Sequence, residues 1–172
     1  NELVTFARTL YEVPVPRQYD VAVAGVGYPK DTNLYQASRA ASYLFFGPTS
    51  VIRPGGIFIV PAPCDEGAGE GVGEQRFLKA MQEAPKASYI LDDAREHGYP
   101  PGQQRAFVMA KVLEENDVII VGCLDPALVE SAKFLTAPTM EAALEMTRER
   151  LGEDLDVLVV PHALLTLPIV QG

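Results

Sequence analysis

The stretch Gly25-Val26-Gly27-Tyr28-Pro29-Lys30-Asp31 sets a lysine on a glycine-loosened turn, between an apolar run and an amphipathic one. A phosphate cradle is the first chemistry to test. A dinucleotide fingerprint needs G-x-G-x-x-G, but Lys30 stands where the third glycine belongs and Pro29 interrupts the turn. A Walker A motif is absent. A second glycine cluster, residues 64–75, alternates without that spacing and carries Asp65, Glu66, Glu70 and Glu74, which would contest an anion at a helix start.

A small carboxylate fits the turn better. Tyr28 precedes a proline and is expected to be extended. Lys30 then stands beside Asp31, the expected N-cap of a helix, where a cation is misplaced for helix stability. One reading makes Lys30 the clamp of a carboxylate ligand, shared with helix N–H groups; the other lets its stem run into water. Gln36, one turn on, and Arg105, near the start of a later helix, are each a further contact or a surface residue. Glu66, Gly67 and Gly69 form either a mobile loop at the edge of a site or an ordinary connection. His162 ends another apolar run and is a candidate for proton transfer or a structural histidine. Cys64 and Cys123 form no C-x-x-C, so neither a zinc site nor a disulfide framework is expected. No metal ligands are assigned.

The elements that must position these side chains are legible from patterning. Runs 20–25, 56–62, 117–122 and 156–161 are apolar nearly throughout, as strands covered on both faces should be. Between them, 31–47, 74–84, 102–116 and 139–152 have helical periodicity. The first is expected to run from Asp31 to Gly47, with Leu34, Ala37, Ala41 and Leu44 inward; the last has Thr139 as cap and Gly152 as stop. Residues 96–104 are expected to be an exposed loop. This rhythm predicts an α/β domain: a doubly wound, mainly parallel sheet with helices on both faces, a Rossmann-like three-layer arrangement. Ligands of such sheets collect at the carboxyl ends of strands, here at residues 25–31, 61–74, 122–126 and 161–168.

The 172 residues suit one domain, 1–172, and carry a net charge of −9. That charge repels nucleic acid and anionic membranes, and no apolar run approaches the roughly 20 residues that span a bilayer. No signal peptide is visible, and a cytoplasmic setting is expected. The first residue is not methionine, so the chain is expected to be part of a longer protein.

In order, GYPKDTNLYQA, IRPGGIFIVPAPCDEGAG, RAFVMAKVLEENDVIIVG and VLVVPHALLTLP resemble the C-terminal half of the nickel-dependent lactate racemase family. The resemblance covers nearly all of residues 1–168. It implies a two-domain enzyme that interconverts 2-hydroxy acid stereoisomers by hydride transfer to a nickel pincer nucleotide. In that family an N-terminal domain holds the cofactor and two acid–base histidines, and the C-terminal domain closes the cleft. The resemblance implies substrate contact by Lys30, with the N-terminal domain of the same protein and a small 2-hydroxy carboxylate as partners. The chain departs from the family at Gly102-Gln103-Gln104-Arg105, where G-x-H-K is usual, and at PHALLTLP, where paired glycines follow the histidine. Those departures point to a larger or different hydroxy acid. Two other readings stay open: a Rossmann-like methyltransferase-type domain, from VIRPGGIFIV, and a non-catalytic domain binding a small acid or a protein.

Overall fold

Central strands of this chain are apolar on successive residues because each face of the sheet is covered. The computed structural model describes residues 2–171. In chain order the elements are α1 (Glu2–Tyr11), β1 (Glu12–Val15), β2 (Tyr19–Ala24), α2 (Leu34–Ala37), α3 (Arg39–Phe45), β3 (Ile52–Pro61), α4 (Val72–Glu83) and α5 (Ala87–His97). They continue with α6 (Gln104–Glu115), β4 (Asp117–Val121), α7 (Pro126–Ser131), β5 (Leu135–Ala137), α8 (Met140–Leu151), β6 (Val157–Val160) and β7 (Leu167–Val170).

Five strands form a parallel sheet in the order β5-β4-β3-β2-β6. Ala22, Ala24, Phe58, Val60, Val118 and Ile120 face one layer, built from α2, α3, α4 and α6. The alternate residues Val21, Ile57, Ile59, Ile119 and Val121 face α8 through Ala143. Each large apolar side chain so buried contributes about 1.5–3 kcal/mol. The expected three-layer α/β fold is therefore present, and its four long apolar runs are β2, β3, β4 and β6. The strand order reverses between β2 and β6, so the crevice beyond their carboxyl ends is the switch point at which doubly wound sheets bind ligands.

Gly25 stands at that crevice. A Cβ there would lie 2.2 Å from the Pro161 carbonyl oxygen, so only glycine lets the segments leaving β2 and β6 approach this closely. Gly25 N–H donates to Val160 O, and Ala163 N–H donates to Gly25 O, both at 2.9 Å.

Several local expectations are corrected. The helix expected over 31–47 is two short helices, α2 and α3, and its cap is Asn33, not Asp31. Asn33 Oδ1 accepts from Gln36 N–H at 3.0 Å, while the Asp31 carbonyl is taken by Cys64 N–H at 3.0 Å. The chain also forms α1, α5, α7, β1, β5 and β7, none of which the apolar runs mark. Thr139 does cap α8, accepting from Ala142 N–H at 3.2 Å, and Gly152 follows its last turn at φ +99°.

Outside the main sheet, β1 pairs in parallel with β7 from Glu12↔Leu167 to Val15↔Val170. Beside it, α1 contributes no buried residue: Leu3, Phe6 and Leu10 are 83%, 62% and 59% exposed. No helix among the described residues is long and apolar enough to cross a membrane.

Candidate functional site

The 25–31 segment is a tight turn. Lys30 N–H donates to Gly27 O at 2.9 Å around a cis Tyr28–Pro29 bond, and Gly27 has φ +73°. This is the arrangement of a type VI turn, with the cis proline third of four residues. Tyr28 is 86% exposed. Lys30 is exposed too, and its side chain makes no hydrogen bond or ion pair among the described residues. It stands three residues before the Asn33 cap, not directly beside the cap as expected.

The glycine-rich loop after β3 is tied to this segment. Glu66 N–H donates to Thr32 O at 2.8 Å and Leu34 N–H donates to Gly67 O at 2.8 Å. The Thr32 hydroxyl lies 3.0 Å from Glu66 Oε2. Further along, Gly71 N–H donates to Glu74 Oε2 at 2.8 Å, and a Cβ at Gly69 would collide with that carboxylate. The loop is thus a fastened connection in which Glu74 serves the loop's own backbone and Glu66 faces the Thr32 hydroxyl. One oxygen of Asp31, Oδ1, is buried without a partner. Cys64, also buried, has its thiol pushed up to about 12, first by burial and then by Cys123, Asp31 and Asp65. A thiol so poised is no nucleophile at neutral pH.

The strongest electrostatic feature lies along α2 and α3. Tyr35, Arg39, Ser42 and Tyr43 recur at helical spacing, and the second residue of α6 reaches across to them. Arg105 Nη1 donates to Ser42 Oγ at 2.8 Å, and its guanidinium lies 5.8 Å from the Tyr35 ring centroid. Arg39 Nη1 donates to Gln36 Oε1 at 3.1 Å, Nη2 donates to the Tyr43 hydroxyl, and its Nε is buried without a partner. Burial pushes the Arg105 pKa below its ordinary value; the Arg39 charge pushes the same way, opposed by Tyr35 and Tyr43.

Neither arginine meets a carboxylate among the described residues. That is anomalous in a chain of net charge −9. Two partly desolvated cations that repel each other cost free energy unless an anion joins them. A carboxylate would suit these two groups, because guanidinium groups bind it through paired, charge-assisted hydrogen bonds.

Arg105 and Ser42 also line a cleft of about 530 Å³. Its other walls are Tyr11, Tyr43, Phe46, Val108 and the segment Leu164–Leu167 that leaves β6. The structure ties Gln36 to Arg39 and Arg105 to Ser42 and Tyr35, and leaves Tyr28, Lys30 and Asp31 on the preceding turn and Glu66 on the loop fastened to it. His162 is exposed; its carbonyl accepts from Leu165 N–H at 2.9 Å, and its ring has no partner among the described residues. Sequence reasoning missed Tyr35, Arg39, Ser42 and Tyr43. The signal was their spacing on the polar side of a helix chosen for its apolar side.

Among the described residues no group of three or more His, Cys, Asp or Glu side chains could hold a metal ion. The described side chains therefore offer no three-ligand cluster for a nickel ion.

Residues 16–167 match the family described as the lactate racemase C-terminal domain. No curated protein matches the chain. Among solved structures, the lactate racemase apoprotein from Thermoanaerobacterium thermosaccharolyticum superposes with a TM-score of 0.81 at 21% identity, over 96% of this chain and 39% of that one. A protein from Thermotoga maritima superposes with a TM-score of 0.64 at 16% identity, over 99% of this chain and 41% of that one. The chain thus spans about two fifths of the length of those structures. With a family match over most of its length, the chain belongs to the lactate racemase C-terminal domain family.

Proposed function

We propose that this chain is the substrate-contacting, cleft-closing domain of a cytoplasmic lactate racemase-like enzyme that interconverts the stereoisomers of a 2-hydroxy acid. The observation that carries the reading is the Arg39–Arg105 pair without an acidic partner. A 2-hydroxy carboxylate would lay its charged end on these guanidinium groups, fixing the α-carbon for reaction. Tyr43, already bonded to Arg39, and Ser42, bonded to Arg105, hold the two cations in place. Lys30, free on the adjoining turn, is a second cation that domain closure could bring to the acid, with Tyr28, Asp31 and Glu66 around it.

The family resemblance assigns hydride acceptance to a nickel pincer nucleotide. In this reading the rest of the polypeptide, an N-terminal domain, holds that group. The exposed apolar face of α1, which lies before the family match at residue 16, is the surface that domain would cover.

The test is a chiral assay of the full-length, cofactor-loaded protein against a panel of 2-hydroxy acids, with Arg39→Met, Arg105→Met and Lys30→Ala beside the wild type. Interconversion of one acid, lost in the arginine variants, supports the reading. Turnover unaffected by both arginine substitutions overturns it.

A further inference from the structure

The cleft beside Arg105 has a composition that bears on which acid the site takes. Apart from Arg105 its lining carries no charged side chain, and its polar groups are Ser42, Thr166 and two tyrosine hydroxyls. Val108 follows Arg105 by three residues on α6 and so shares its face. Phe46 stands in the same relation to Tyr43. Leu164 and Leu165, on the segment leaving β6, line the cleft with them.

We propose that this cleft receives the apolar side chain of the acid, so that the substrate is a 2-hydroxy acid with a branched-alkyl or aryl tail, not lactate. The proposal rests on the carboxylate reading of Arg39 and Arg105 and adds what lies beyond the α-carbon. A cleft of about 530 Å³ falls in the range of pockets that enclose drug-sized ligands. A methyl group would leave most of it to water and its apolar walls wet. A second carboxylate or a chain of hydroxyls would meet no charged partner there, and burying such groups unpaired is costly. Each methylene that enters the cleft is worth about 0.8 kcal/mol, or roughly a fourfold gain in affinity.

Binding to the full-length, cofactor-loaded protein can be measured calorimetrically for lactate, 2-hydroxy-4-methylpentanoate, 3-phenyllactate and malate. The expected order is phenyllactate and the methylpentanoate at least about 30-fold tighter than lactate, with malate no better than lactate. Val108→Phe, which fills the cleft beside Arg105, is expected to shrink the phenyllactate-to-lactate preference about tenfold or more. Val108→Ala should instead favour the bulkier tail, and it guards against misfolding of the larger substitution. Lactate or malate binding as tightly as phenyllactate would overturn the proposal, as would a preference that both Val108 variants leave intact. If the acids bind in that pattern but ignore Arg105→Met, the carboxylate reading fails. If they need Arg105 without preference for a tail, only the present proposal fails.

Discussion

Replacing Arg105 by methionine separates a cation kept for a ligand from one kept for the fold. The substitution removes the charge while an unbranched side chain still fills the space along α6. One hydrogen bond disappears, from Nη1 to Ser42 Oγ at 2.8 Å, worth about 0.5–1.5 kcal/mol. Against that, a partly buried guanidinium beside Arg39 no longer needs to be desolvated or to repel its neighbour, as its lowered pKa reports. The two effects oppose each other, so unfolding free energy is expected to change by less than about 1 kcal/mol, in either direction. Binding of a 2-hydroxy acid loses a charge-assisted hydrogen bond of about 1.5–3 kcal/mol, or roughly 10- to 150-fold in affinity. Urea denaturation of the full-length protein reads the first quantity, and titration calorimetry with the acid reads the second. A loss of more than about 2 kcal/mol of stability with affinity unchanged would refute the reasoning and make Arg105 a structural residue.

Other consequences follow from the same structure. Gly25→Ala drives a Cβ to within 2.2 Å of the Pro161 carbonyl oxygen, and a loss of about 1–3 kcal/mol is expected in denaturant unfolding. Cys64 ionises at about 12 in the fold against an ordinary 9.0. The folded pKa is the higher, so the stability linked to this thiol is complete below pH 9.0 and is lost as pH rises towards about 12; Cys64→Ala should flatten unfolding free energy across that window. At neutral pH native Cys64 should resist thiol reagents and react once unfolded. Phe6→Asp on the exposed face of α1 is expected to destabilise the full-length protein by about 1.5–3 kcal/mol if another domain covers that face; amide exchange should then show α1 protected in the wild type, and rapid exchange of α1 would count against such a cover.

The sheet was legible because burial on both faces removes polar residues from β2, β3 and β4, leaving runs that no amphipathic helix produces; the edge strand β6 carries such a run although Val157 and Val159 are exposed. The other edge elements were not. In β5 and β7 only three or four residues are extended, so neither leaves a periodic trace. The cap of α2 was misplaced because Asp31 and Asn33 are equally good capping residues. What decided between them is a contact with Cys64, 33 positions on, which local chemistry does not reveal. The site shows the same limit. Lys30 was visible because its own neighbours make it unusual. Arg39 and Arg105 become unusual only when Ser42 and Arg105, separated by 63 positions, are brought to 2.8 Å and no acid accompanies them.

The most direct test of the account is a crystal structure of the full-length protein with a 2-hydroxy acid bound. The account predicts the carboxylate within hydrogen-bonding distance of the Arg39 and Arg105 guanidinium groups, with the tail pointing past Val108. An acid bound elsewhere, with both arginines left in their present contacts, would contradict it.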